Sequence, residues 1–181
     1  MSRSTNARHG LATLAVAAVA LLVVGCFESK YPLAPRPPGQ RVDAQYLGDW
    51  TLEHLEDDGT TNTSKLVVRN LRGEEYYVEW VNDEGQDDED RFRATGYLTD
   101  VGGVTFVNLL PLTDTPAAAE RYTIMRVDLD GAKLKLTNLD GDFFKGKTFD
   151  SPDALRKIVA DNLQNEKMYT GRPLFGTKAG K

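Results

Sequence analysis

From residue 48 to about residue 140, apolar and polar side chains alternate in short runs broken by Gly, Asp and Asn, the period of β-strands rather than helices. Seven strands are expected, over 49–56, 65–71, 75–81, 91–98, 104–110, 121–128 and 133–139. Their registers are testable, because a slip of one residue moves every side chain to the other face. A hairpin joining the third and fourth runs sets Trp80 opposite Phe92, Val78 opposite Ala94 and Tyr76 opposite Gly96, with Glu79 against Arg93 on the other face. A turn around Gly73 adds Leu66 against Trp80 and Val68 against Val78. A turn through Gly102-Gly103 sets Leu98 against Val104 and Gly96 against Phe106, and one at Asp130-Gly131 pairs Val127 with Leu134 and Met125 with Leu136, placing Arg126 beside Lys135. The expected inner face therefore carries Trp50, Tyr76, Val78, Trp80, Phe92, Leu98 and Phe106.

The period changes after the strands. Ser151-Pro152-Asp153 reads as an N-cap, a proline at the first helical position and an acidic first turn. Leu155, Ile158, Val159 and Leu163 then form one apolar stripe, with Arg156, Lys157, Asp161 and Gln164 opposite, so a helix over about 152–165 is expected to pack on the sheet. A short strand near 167–170 would complete a domain over 42–170, leaving 171–181 as a flexible tail. The fold class is mainly β: an antiparallel up-and-down meander of seven or eight strands, closed into a small barrel that leaves no exposed edge, with one late α-helix. Gly48-Asp49-Trp50 resembles the Gly-x-Trp of lipocalins, barrels with a late helix that hold small apolar ligands. That resemblance implies that Gly48 and Trp50 close the barrel.

The start of the chain has a different grammar. Arg3 and Arg8 precede an apolar stretch from Leu11 to Val24 that ends at Gly25-Cys26, the order of an export signal. About 14 apolar residues fall short of the roughly 20 needed to cross a bilayer as a helix. Val23-Val24-Gly25-Cys26 resembles the lipobox of bacterial lipoproteins, which implies cleavage between Gly25 and Cys26 and acylation of the Cys26 thiol. Residues 1–25 are then a removed leader, and 26–41, with four prolines between Pro32 and Pro38, are expected to be a lipidated, extended tether. Phe27 follows the cysteine, and not the aspartate that retains enteric lipoproteins in the inner membrane. The resemblance thus implies an extracytoplasmic site, the periplasmic face of the outer membrane in a two-membrane cell.

Composition narrows the chemistry further. Losing residues 1–25 removes Arg3 and Arg8 and no acid, so 20 Lys+Arg face 27 Asp+Glu, a net charge of −7 and a poor match to nucleic acid. Cys26 is the only cysteine, so no internal disulfide forms, and His54 is the only histidine beyond the leader. A nucleophile–base–orienter triad and a His/Cys metal cluster both lack their residues. Asp83, Glu84, Asp87, Asp88, Glu89 and Asp90 crowd one hairpin tip but lack calcium-loop spacing, as does Asp128-Leu129-Asp130-Gly131. No catalytic residue, metal or cofactor is therefore expected.

Two functional readings follow. In the first, a membrane-anchored envelope lipoprotein uses its β domain as a non-enzymatic protein-interaction or structural module, with the acidic tip and exposed Tyr77 and Tyr97 facing an envelope protein. In the second, the barrel carries a small apolar ligand, as in lipocalins. The bulk of Tyr76, Trp80, Phe92 and Phe106 on the inner face favours the first, because a small barrel fills with side chains unless they leave room. In both readings the membrane is met through the acyl chains on Cys26.

Overall fold

The computed structural model describes residues 27–55, 59–82, 91–113 and 121–180. Eight of its antiparallel strands form a closed up-and-down barrel: β2 (Gly48–Leu55), β3 (Thr61–Leu71), β4 (Glu75–Asn82), β5 (Arg91–Val101), β6 (Val104–Pro111), β7 (Tyr122–Asp130), β8 (Lys133–Asn138) and β9 (Leu174–Lys178). Each strand pairs with the next in sequence, and β9 returns to β2 to close the ring. One further strand, β1 (Glu28–Ser29), pairs with the first residues of β7.

The registers of β3–β4 and β4–β5 are those the alternation requires: Leu66 faces Trp80, Val68 faces Val78, Trp80 faces Phe92, and Glu79 faces Arg93. The next hairpin differs. Gly102 and Gly103 both take positive φ, 60° and 82°, so the turn holds only those two residues and Val101 pairs with Val104. Leu98 then meets Val107 and Gly96 meets Leu109. Relative to the expected pairing β6 is displaced by an odd number of residues. Val107 and Leu109 enter the barrel and Phe106 leaves it. Phe106 is fully buried nonetheless, on the outer face. At the β7–β8 turn the displacement is two residues, which preserves the faces: Val127 pairs with Leu136 and Leu129 with Leu134. Asp128, rather than Arg126, now faces Lys135, so the expected like-charge contact does not arise.

The seam contains the strand that the sequence reading left out. Residues 171–181, expected as a tail, contribute β9, whose Thr177 pairs with both Thr51 and Lys133. The expected strand near 167–170 is a 3-10 turn, Glu166–Met168, followed by a single bridge between Leu139 and Tyr169.

Two apolar cores result. The inner core fills the barrel with Trp50, Leu52, Leu66, Val78, Leu109, Met125 and their neighbours. The outer core lies against the outside of β5, β6 and β7 and is made of Phe27, Leu33, Val101, Phe106, Ile124, Leu139, Phe144, Leu155, Val159 and Met168. Two helices between β8 and β9 supply part of it. In α1 (Gly141–Phe144), Asp140 caps the amides of Asp142 and Phe143 and the helix delivers Phe144. In α2 (Pro152–Asp161), the Ser151 hydroxyl accepts from the Ala154 amide, and Leu155 and Val159 are fully buried. α2 is the expected late helix, ending earlier than residue 165 because Asn162 leaves helical geometry. The rest of the outer core comes from the proline-rich segment. Among residues 27–41, Phe27 and Leu33 are buried, the Leu33 amide donates to Asn108 Oδ1 at 2.8 Å, and Arg36 pairs with Glu74 and Glu75. What was expected as a free tether is strapped to the wall.

Candidate functional site

Three parts of the surface and interior can be weighed as sites. The first is the barrel lumen. Trp50, Tyr76 and Val78 are buried in it, as expected, and Trp80, Phe92 and Leu98 are half-buried against it. Their packing leaves a cavity of about 60 Å³ whose lining, including Tyr46, Leu66, Trp80, Leu98 and Met125, presents no polar surface. A pocket for a drug-sized ligand measures roughly 300–1,000 Å³. The cavity is several times too small for such a guest without side-chain movement.

One end of the lumen is closed by a 3-10 turn, Ala44–Tyr46. Asp43 caps the turn. The Tyr76 hydroxyl accepts from the Asp43 amide at 2.8 Å, and the Tyr46 and Tyr76 rings meet edge to face at 6.2 Å. Burial pushes the Tyr76 hydroxyl up to about 12, a trend the hydrogen bond to Asp43 opposes. Burial likewise raises Tyr46, with the Asp43 carboxylate adding to it. At the same end the Trp50 indole donates to the Tyr46 carbonyl, and the Lys178 ammonium lies 5.0 Å from the Trp50 ring while donating to the Gln45 carbonyl at 2.9 Å. Gly48 has φ +135°, and a Cβ there would come within 2.8 Å of Lys178 Cε. Gly48 and Trp50 therefore do lie at the closing seam. Their partner Lys178 was missed, because it sits in the segment read as a tail.

The second part is the bare wall. β2 and β9 point Leu55 and Phe175 outward, 63% and 54% exposed, on neighbouring strands. Asp49 on the same wall accepts from Arg69 and lies near Lys65, and those cations hold its carboxyl below the usual range. Tyr77, expected on the surface, is half-buried. Tyr97 is not exposed: the proline-rich strap covers it, its hydroxyl donates to the Ala34 carbonyl at 2.7 Å, and burial raises its pKa. Phe106 is likewise absent from the lumen, as described above. His54 shares the inward parity of Trp50 and Leu52 and is half-buried. Among the described residues no group of three or more His, Cys, Asp or Glu converges on a common point, and no helix is long and apolar enough to cross a membrane. Gly25, Cys26 and the acidic tip, Asp83, Glu84, Asp87, Asp88, Glu89 and Asp90, lie outside the described residues.

The third part adjoins the first described residue. A wide, shallow groove of about 640 Å³ runs beside Phe27, floored by Phe27, Phe144 and Phe149. Phe27 stacks on Phe144 with ring centroids 3.9 Å apart and meets Phe149 edge-on at 5.8 Å. Its amide donates to the Leu139 carbonyl at 3.0 Å. Arg121, Lys145 and Lys147 rim the groove, together with Glu28 and Asp142. Nothing in the sequence pattern pointed to this groove, because its parts come from three segments more than ninety residues apart at the extremes.

No protein family and no curated protein matches the chain. Among solved structures, a redesigned β barrel aligns with a TM-score of 0.39 and 14% sequence identity, covering 80% of this chain and 100% of that one.

Proposed function

We propose that the protein is an envelope lipoprotein, anchored through acyl chains on Cys26, whose barrel is a non-enzymatic interaction or structural module. The observation that carries the choice of module over carrier is the lumen. About 60 Å³ of space remains there, so the surfaces that differ from an ordinary solvated wall are on the outside. Leu55 and Phe175 form one of them, and they are the residues proposed to meet an envelope protein. The anchor itself is supported by the ordered leader, basic start, apolar stretch, Gly25 and a single cysteine. The lipocalin-like alternative is supported by the wholly apolar lining and by Trp50 at the seam. It requires the half-buried Trp80, Phe92 and Leu98 to swing aside.

The deciding measurement is the mass of the full-length gene product released from bacterial membranes, native against denatured. The anchored-module reading expects a chain beginning at Cys26, heavier by its acyl groups, with no further mass lost on denaturation. A reproducible small-molecule mass lost on denaturation would establish the carrier. A chain retaining residues 1–25 would remove the anchor.

A further inference from the structure

We infer that the groove beside Phe27 is the face on which the barrel rests against an anionic lipid surface, so that the anchor is rigid rather than a leash. The inference rests on the proposed acylation of Cys26. Consecutive Cα atoms are about 3.8 Å apart, so the anchored residue lies one such step from Phe27. Phe27 is not free to move away: its amide is bonded to Leu139, its ring is stacked on Phe144, and Glu28 and Ser29 pair with Thr123 and Tyr122. A lipid on Cys26 therefore brings the bilayer to the groove, and the next fifteen residues cannot serve as a spacer because they are strapped along the wall.

The chemistry of the groove suits that position. Arg121, Lys145 and Lys147 are exposed, and Lys147 Nζ sits 4.1 Å from the Phe143 ring, leaving cations and aromatics together at one edge. That is the pairing that lies well at the level of headgroups, with ammonium or guanidinium on phosphate and ring below it. Glu28 and Asp142 oppose the three cations, so the local excess is one positive charge in a processed chain whose net charge is −7. Charge is thus distributed against the overall balance at the place where the chain meets its anchor. The groove is shallow and open to solvent rather than an enclosed pocket, so the acyl chains enter the bilayer and leave the groove to headgroups.

The test uses the full-length protein, processed in bacteria and reconstituted into vesicles of phosphatidylcholine with phosphatidylglycerol, with phosphatidylcholine alone and detergent as references. Amide hydrogen exchange is read over residues 141–149, and intact mass reports the state of Cys26. Docking predicts that this segment is protected on the mixed vesicles and not in detergent. Replacing Arg121, Lys145 and Lys147 by glutamate, one at a time, lowers that protection by about fivefold or more each, near the contribution of one basic residue at an anionic surface. These side chains are exposed, so exchange in β3 and β4 stays unchanged and reports that the barrel is intact. A lipidated protein whose 141–149 segment exchanges equally in vesicles and detergent overturns the docking face and leaves the anchor standing. An unmodified Cys26 overturns both.

Discussion

The two cores of this molecule are not equally well packed. Seven of the ten outer-core residues, Leu33, Phe106, Ile124, Leu139, Leu155, Val159 and Met168, have no exposed surface, whereas of the fourteen inner-core residues only Leu52 and Ala94 are so completely enclosed. The inner core also contains the cavity. A barrel of eight strands is often pictured as held by its lumen. Here the tighter packing lies outside, where the strap, α1, α2 and the wall of β5, β6 and β7 converge. β6 belongs to both cores, with Phe106 and Asn108 turned out and Val107 and Leu109 turned in. It has the double burial of a strand in a layered fold rather than the single burial of an ordinary barrel strand.

The contrast can be broken most directly by truncation. Phe106→Ala should cost about 3–5 kcal/mol in urea unfolding, because a fully enclosed aromatic leaves a hole that its neighbours cannot fill, while Leu98→Ala, half-buried beside an existing cavity, should cost about 2 kcal/mol or less. A larger loss at Leu98 would reverse the ranking of the cores.

Alkaline pH probes a tyrosine in each. Tyr76 at the inner core is raised from 10.0 to about 12, and Tyr97 at the outer core is raised further. A phenol whose pKa is raised by folding contributes its full stability below pH 10, and that contribution is lost as pH climbs from 10 toward the folded value, at about 1.4 kcal/mol per unit for each group. The contribution of these two tyrosines should therefore be level below pH 10 and fall above it. Tyr76→Phe should make that fall shallower between pH 10 and 12 by one group's share, and identical slopes in the two proteins would show that Tyr76 titrates normally.

A smaller effect tests what ties the strap to the outer core. Asn108 is fully buried, accepting from Leu33 and donating to Thr99. Asn108→Leu strands the Leu33 amide and should cost about 1–3 kcal/mol, with faster exchange confined first to residues 27–36. Uniform acceleration across the barrel would mean that the strap and the barrel unfold as one unit. The smallest expected change is a gain: Val78→Ile adds one methylene toward the cavity and should stabilise by up to about 0.8 kcal/mol if that space is empty. A loss there would show the lumen to be full already.

The same contrast explains what could be read in advance. The inner-face pairings from β3 to β5 follow from alternation and short turns, and Ser151-Pro152-Asp153 announced α2. β6 was displaced because both of its faces are apolar: Val104 and Phe106 alternate as convincingly as Val107 and Leu109, so the pattern alone does not tell which pair enters the barrel. β9 escaped notice because five residues with a glycine in the middle carry little periodicity, and their strand character comes from two neighbours that are distant in sequence. The strap was misread for a related reason. From Pro32 onward its prolines exclude helix and ladder, the preceding strand is only Glu28–Ser29, and isolated buried residues such as Phe27 and Leu33 leave no repeat to detect. Of the candidate sites, the lumen was legible and the groove was not.

The seam between β2 and β9 also sets a schedule. Trp50 pairs with Lys178, 128 positions later, and the Ala179 amide reaches back to the Asp49 carbonyl. Until β9 has been synthesised the sheet has two open edges, and the ring closes only by bringing together parts of the chain that lie far apart, a slow event for a fold of this topology. A chain that stays unclosed for most of its synthesis carries two unpaired strand edges until its last few residues arrive, so the final strand is what protects the whole sheet from pairing with another chain.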